Sequence, residues 1–115
     1  MSLEIANFEF EGPLVNRQGV RKQPGLYAIL SFANQQYELV EMGESADLQS
    51  SLVDEEKLEY WQTKSIGMLT FSVHYSPNAT KKSRRQEMVM QILKNFDGDY
   101  REFEEKDGAV ASAVS

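Results

Sequence analysis

The chain has 115 residues with a 41% hydrophobic and 10% aromatic share, and its 18 acidic and 12 basic side chains give a formal net charge of −6. This composition predicts one small folded domain, and the absence of cysteine excludes disulfides, thiol catalysis and cysteine-bound zinc. No apolar run approaches the roughly 20 residues that cross a bilayer, and no secretion signal is visible at Met1, so we expect a cytoplasmic protein without a membrane partner.

The first part of the chain predicts β-strands. Residues 3–11 hold two apolar pairs that are out of phase, which predicts a short strand with a break, ended by Gly12-Pro13. Dense apolar runs over residues 26–33 and 37–42 are separated by Asn34-Gln35-Gln36, a connection short enough for a β-hairpin. The first of these runs has almost no polar member, so we expect a central strand that is covered on both faces.

Two short helices and a further strand follow the hairpin. Ser45 is a suitable N-cap for a helix over residues 46–53, and Asp54 is a suitable N-cap for a second helix that runs to about residue 64. Trp61 is expected to anchor the second helix in the core. Residues 68–75 alternate between apolar and polar side chains, which predicts a half-buried strand.

A long third helix is predicted after the turn at residues 76–78, capped by Asn78 or Thr80 and ending near residue 96. The order of elements predicts a single α+β domain over residues 1–107. Its core would be a small antiparallel sheet of about three strands plus the N-terminal strand, flanked by helices. Residues 108–115 have small side chains with little to pack, so we expect a flexible C-terminal tail.

Two short motifs mark the predicted hairpin. Pro24-Gly25-Leu26-Tyr27 opens its first strand, and Val40-Glu41-Met42-Gly43-Glu44-Ser45 ends its second. In their order and spacing these motifs resemble the signature of the GIY-YIG nuclease family, with Glu41 where the family has a tyrosine. Upstream, Phe8-Glu9-Phe10-Glu11-Gly12-Pro13 looks like the leader of small bacterial members. The resemblance covers roughly residues 8–101 and implies a GIY-YIG nuclease-like fold.

The resemblance also implies that most of the reactive groups are absent. In the family, a first-motif tyrosine helps to activate water, a helical arginine stabilises phosphate charge and a late glutamate holds a divalent metal. By position the tyrosine is Tyr27, which would be vestigial, while the arginine position holds Ser51 and the usual lysine is Glu44. Alignment of the late helix puts the metal glutamate at Val89 and the family's closing asparagine at Arg101. The resemblance therefore implies no metal and no other cofactor.

Glu87 is the other carboxylate on the late helix. Helical periodicity predicts an apolar stripe formed by Met88, Val89, Ile92, Leu93 and Phe96. Glu87 lies nearly opposite the centre of this stripe, so we expect it to face water and to pair with Arg84. In the alternative interpretation Glu87 holds Mg²⁺, and Arg17, Arg84 or Arg85 replaces the missing cation.

Candidate contact surfaces are the basic runs and the only histidine. One run comprises Lys81, Lys82, Arg84 and Arg85, the other extends from Arg17 to Lys22, and His74 shares the polar side of its predicted strand with Thr70 and Ser72. A net negative domain is a poor match for nucleic acid, because binding phosphates relies on lysine and arginine. We therefore expect a protein partner or a second copy of the chain, with at most weak nucleic-acid binding through the first run or His74.

These observations predict a non-catalytic interaction module that lacks the arginine and the metal-binding glutamate of the family. The alternative is a divergent Mg²⁺-dependent endonuclease that uses Tyr27, Glu87 and a relocated arginine. A third interpretation is a small structural protein whose hairpin resembles the family by chance.

Overall fold

The structure, a computed structural model, describes residues 2–96 and 104–105. In chain order it contains β1 (Ser2–Ile5), β2 (Phe8–Leu14), a 3₁₀ turn (Arg17–Gly19), β3 (Gly25–Ala33), β4 (Gln36–Ser45), α1 (Leu48–Leu52), α2 (Glu55–Lys64), β5 (Met68–Tyr75), α3 (Lys82–Asn95) and β6 (Glu104–Glu105). The strands form one antiparallel sheet in the order β4-β3-β5-β2-β1-β6. The predicted α+β class is therefore confirmed, with more strands than we expected.

Two predictions lie outside the described residues, namely the tail at residues 108–115 and the position of Arg101. Within the described ranges, no helix combines the length and the apolar composition that crossing a membrane requires.

The N-terminal segment is a hairpin, so the prediction of one interrupted strand was wrong. The register places Leu3 opposite Phe10 and Ile5 opposite Phe8. Ala6 and Asn7 have positive φ angles of 48° and 73°, the backbone of a two-residue hairpin turn, so the change of phase marks a reversal of the chain. β2 also continues past Gly12, because this glycine (φ 127°) forms an irregularity in the pairing with β5 instead of ending the strand.

β3 is the central strand that its apolar run predicted. It pairs with β4 on one side and with β5 on the other, and residues 25–31 are buried. Its side chains alternate between two apolar clusters. Leu26, Ala28 and Leu30 belong to one cluster, and Tyr27 and Ile29 belong to the other. The two faces of β3 therefore support two separate cores.

Helices cover both faces of the sheet. α3 buries Met88 and Ile92 against the face that carries Leu26, whereas α1 and α2 pack on the face that carries Tyr27. Trp61 is fully buried in this second core, as predicted. Leu93, predicted to be part of the buried stripe of α3, is 41% exposed, because the stripe extends from Ile92 through Met88 toward the start of the helix.

β5 is buried on both faces through its middle, so the prediction of a half-buried strand was wrong. Thr70 and Ser72 are buried although both are polar. β5 lies between β3 and β2 in the sheet, and α3 with the N-terminal hairpin forms the core on that face. The Thr70 hydroxyl donates to the carbonyl oxygen of Leu30 at 3.1 Å, whereas Ser72 Oγ has no hydrogen-bond partner in the described part of the chain.

Only one of the predicted helix caps is correct. Asp54 caps α2 by accepting from the backbone N–H groups of Glu56 and Lys57. α1 is capped by Asp47 and not by Ser45, and the hydrogen bond from the Ser50 backbone lowers the pKa of Asp47. α3 begins at Lys82, later than a cap at Asn78 or Thr80 would place it, and its first turn has no side-chain cap.

The β3–β4 turn offers a test of the hairpin. Asn34 and Gln35 have positive φ angles of 53° and 64°. Glycine adopts such angles readily, whereas a residue with a side chain, such as Gln35 at the second turn position, adopts them at an energetic cost. We expect Gln35→Gly to raise the free energy of unfolding by about 0.5–1 kcal/mol. This is the net gain after the relief of backbone strain is reduced by the greater flexibility that glycine gives the unfolded chain. Urea denaturation measures this change. Gln36→Gly, in the strand, should lower stability, and a loss of stability in Gln35→Gly would contradict the turn.

Candidate functional site

Tyr27, the tyrosine of the first motif, lies inside the core under α2. Its side chain is only 4% exposed, and its hydroxyl donates to Glu41 Oε2 at 2.9 Å. The register places it opposite Gly43, and a Cβ atom on Gly43 would collide with the phenol ring and its oxygen. The tyrosine of the first motif and the glycine of the second are therefore two sides of one packing contact.

Glu41, which the resemblance aligns with a tyrosine of the family, has both of its carboxylate oxygens engaged. Oε2 accepts from Tyr27, and Oε1 accepts from the indole N–H of the buried Trp61 at 3.0 Å. The irregularity at Val40 directs the carboxylate inward, because it leaves Val40 without a partner and sets Glu41 opposite Ile29, on the Tyr27 face. We call Tyr27, Glu41 and Trp61 the carboxylate triad.

The electrostatics of the triad disfavour proton transfer by Tyr27. Burial, and then the negative charge of Glu41, raises the pKa of Tyr27 far above its ordinary value. The phenol is therefore neutral at physiological pH and acts as a hydrogen-bond donor. Lys57 Nζ lies 5.8 Å from the centre of the Tyr27 ring. The triad is suited to holding α2 on the sheet, since α2 carries both Trp61 and Lys57.

Arg85 is buried, so the prediction that it belongs to a basic surface was wrong. Its Nε donates to Glu44 Oε1 at 2.8 Å, and one terminal nitrogen donates to the carbonyl oxygens of Ala79 and Thr80 at 3.0 Å each. The guanidinium occupies the start of the apolar stripe of α3, where a charge is tolerated because it is paired. Arg85 fastens both α3 and the preceding loop to the end of β4.

Ser51, which the resemblance aligns with the family arginine, is part of a small polar contact. Its Oγ lies 2.6 Å from Ser45 Oγ, which also accepts from the backbone N–H of Asp47 at 3.0 Å. This contact fixes the start of α1 to the end of β4. A serine hydroxyl carries no charge, so it offers no counterpart to a guanidinium facing phosphate.

The structure separates the residues of the alternative nuclease. Glu87 is exposed on α3 and pairs with Arg84 at 3.3 Å, which confirms the prediction that it faces water. Since α3 packs on one face of the sheet and Tyr27 lies on the other, Glu87 and Tyr27 do not share a site. Val89 is partly buried against the α3 core. Of the three candidate arginines, Arg17 alone is on the Tyr27 face, where it donates to the Leu52 carbonyl oxygen at 2.7 Å.

His74 is a packing residue and not the freely exposed side chain that we expected. Its Nδ1 is 2.8 Å from the carbonyl oxygen of Glu9, and its ring contacts Phe8 and Phe10. Of the basic run at α3, Lys81, Lys82 and Arg84 remain exposed. In residues 2–96 the histidine, aspartate and glutamate side chains form no group of three that could hold a metal ion.

The hydrogen bond between Trp61 and Glu41 was not predicted from the sequence. The available signal was a glutamate inside the apolar run of β4, because a carboxylate in such a place requires hydrogen-bond donors. Its donors are 14 and 20 residues away in the chain, and no local pattern identifies them.

Comparison with known proteins adds no further assignment, since no family model, curated protein or solved structure matches the chain.

The carboxylate triad should make stability depend on pH in the alkaline range. In the unfolded chain Tyr27 loses its proton near pH 10, whereas in the fold it keeps that proton to higher pH. Above pH 10 the unfolded state therefore binds fewer protons than the folded state, and the free energy of unfolding falls as pH rises. The limiting slope is about 1.4 kcal/mol per pH unit. Urea titrations between pH 9 and 11.5 should show a shallower slope for Tyr27→Phe, which also costs about 1–2 kcal/mol at pH 7. Equal slopes would contradict a buried neutral phenol.

Two adjacent arginines provide a matched test of the α3 attachment. Arg85→Ala leaves Glu44 and two carbonyl groups without their donor, and we expect it to lower the free energy of unfolding by about 3–5 kcal/mol. Arg84→Ala removes only an exposed pair and should cost less than about 0.5 kcal/mol. Thermal and urea unfolding compare the two variants, and similar small losses would show that the Arg85 contact contributes little.

Proposed function

We propose that the chain is a non-catalytic interaction module on a GIY-YIG-like scaffold, and that it binds a protein partner. One observation carries the proposal. The polar side chains at the positions of the family's reactive groups are bonded to other side chains of the same domain. Tyr27 and Glu41 bond within the carboxylate triad, Glu44 bonds to Arg85, and Ser51 lies against Ser45. The scaffold uses these positions to hold its helices to the sheet.

The burial of Tyr27 supports this interpretation. A hydroxyl that activates water must reach the water and the phosphate, within about 3 Å of each. Tyr27 is 4% exposed and donates its hydrogen bond to Glu41, so such contact requires α2 to move away from the sheet. That movement would also expose Trp61 and leave Glu41 Oε1 without its donor. The energetic cost of opening is therefore the cost of dismantling one of the two cores.

The placement of the carboxylates points in the same direction. Mg²⁺ at a nuclease centre is held by one or two carboxylates that also face the scissile phosphate. Glu41 and Glu44 are engaged by internal donors, and Glu87 lies across the sheet from Tyr27. The alternative endonuclease would need these groups on one face, so the arrangement favours the interaction module.

Charge supports a protein partner over nucleic acid. The chain carries a net charge of −6, and the Arg85 guanidinium, one of the four cations of the basic run, is neutralised by Glu44 in the core. Lys81, Lys82 and Arg84 remain to contact phosphates, and Arg84 is paired with Glu87. A run that keeps only two lysines without an ion pair in the described residues, on an acidic domain, predicts weak nucleic-acid binding that salt abolishes.

A cleavage assay tests the proposal directly. Three purified proteins, the wild type and the single variants Tyr27→Phe and Glu87→Ala, are each incubated with supercoiled DNA and with RNA in the presence of Mg²⁺ or Mn²⁺. We expect no nicking above the buffer control for any of the three proteins, because no described side chains converge on a phosphate site.

Cleavage by the wild-type protein that Tyr27→Phe abolishes, while Tyr27→Phe remains folded by circular dichroism, would overturn the proposal. Loss of cleavage in Glu87→Ala would favour the divergent endonuclease instead. Tight DNA binding that falls steeply with salt and is lost in Lys82→Glu would replace the protein partner with nucleic acid.

A further inference from the structure

The proposed function leaves open where a partner binds, and the outer edge of the sheet supplies a candidate. We propose that the free edge of β4 accepts an extended, lysine-rich or arginine-rich segment of another protein as an additional antiparallel strand. This inference deepens the proposed function and rests on it. In strand addition, backbone hydrogen bonds give affinity and the alternating side chains give specificity.

β4 is the open edge of the sheet. It runs for ten residues, Gln36–Ser45, and pairs only with β3 within the described part of the chain. The other side of the sheet differs, because β1 is followed there by β6. A long edge strand presents a row of N–H and C=O groups that a second strand can bind.

The edge is held rigidly on both of its faces. On one face, Glu41 is bound by the side chains of Tyr27 and Trp61, which tie β4 to β3 and α2. On the other face, Glu44 is bound by Arg85 of α3. A strand that is already fixed in an extended conformation loses little further entropy when it pairs, which favours binding. The contacts that occupy the family's catalytic positions thus pre-organise this edge.

The composition of β4 indicates the charge of its partner. β4 is ten residues long and has no proline or lysine, two of the devices that protect free edges. It does carry two others, the irregularity at Val40 and the inward-directed Glu41 and Glu44, so an added strand must follow the local twist and meets Glu38 as the exposed charge. All three of its charged side chains are glutamates, namely Glu38, Glu41 and Glu44. Glu38 is exposed and has no ion pair in the described residues. A cationic side chain opposite Glu38 therefore forms a favourable cross-strand pair.

The same features disfavour a second copy of the chain. Antiparallel pairing of two β4 strands in a register that overlaps at Glu38 would bring the exposed Glu38 carboxylates of the two copies close together, which is repulsive. The irregularity at Val40 also increases the local twist of the strand. A flexible extended segment can follow that twist more readily than the edge of another folded sheet.

A synthetic heptapeptide that alternates lysine and valine is the probe. Titrated into the ¹⁵N-labelled full chain, it should shift the amide signals of β4 and slow their hydrogen exchange, with the dissociation constant read from the same titration. We expect the same peptide with alternate backbone nitrogens methylated to lose binding, because it cannot form the strand ladder. A peptide with glutamate in place of lysine should also fail to bind.

A matched pair of charge reversals locates the site. Glu38→Lys should weaken the lysine peptide about tenfold, since it turns an attractive cross-strand pair into a repulsive one. Glu9→Lys makes the same charge change at an exposed position on β2, which is separated from β4 by two strands, and should leave the affinity within about twofold.

Equal binding of the methylated peptide, equal weakening by both charge reversals, or no response of the β4 amides would overturn the inference. So would a concentration-dependent dimer that protects the β4 amides, because the edge would then serve a second copy. The proposed function is judged separately by the cleavage assay. If the protein neither cleaves nucleic acid nor binds the peptide at β4, the strand-addition inference is wrong and the proposed non-catalytic function still stands.

Discussion

The arrangement of this domain depends on the Glu41 carboxylate, which lies in the sheet and must be given donors. A half-buried carboxylate without partners would cost several kcal/mol, and the fold supplies a phenol from the adjacent strand and an indole from α2. These two hydrogen bonds fix Tyr27 in the core, bring Trp61 onto the sheet and hold β4 against β3. The packing of one whole face of the sheet follows from them.

The opposite face is organised by a second glutamate on the same strand. Glu44 neutralises Arg85, which in turn donates to the carbonyl oxygens of Ala79 and Thr80 in the loop before α3 and so holds that loop against the helix. β4 is consequently joined to the helical layer on each side of the sheet by an ionised side chain. An outer strand that is held in this way stays fixed in an extended conformation, although one of its edges has no partner strand in the described part of the chain.

Periodicity and turn residues predicted the central hairpin, the second helix, the last long strand and the α+β class. They failed where distant parts of the chain decide the outcome. The N-terminal hairpin was missed because a phase change looks the same for a break and for a reversal. β5 was misjudged because its polar residues, Thr70 and Ser72, are covered by α3 and the N-terminal hairpin. Arg85 was assigned to a surface because a charge run carries no information about burial.

The sequence by itself determined most of the elements, since apolar alternation, turn residues and the Asp54 cap act over a few residues. It also determined that residues 44 and 51 are a glutamate and a serine, so neither position can present a positive charge. Only the tertiary structure decided which side chains meet. The partners of Glu41 and Glu44 lie 14 to 41 residues away along the chain, and such pairs form through the packing of whole elements. Local physical chemistry predicts a strand or a helix, whereas the donors of a buried carboxylate are chosen by the fold.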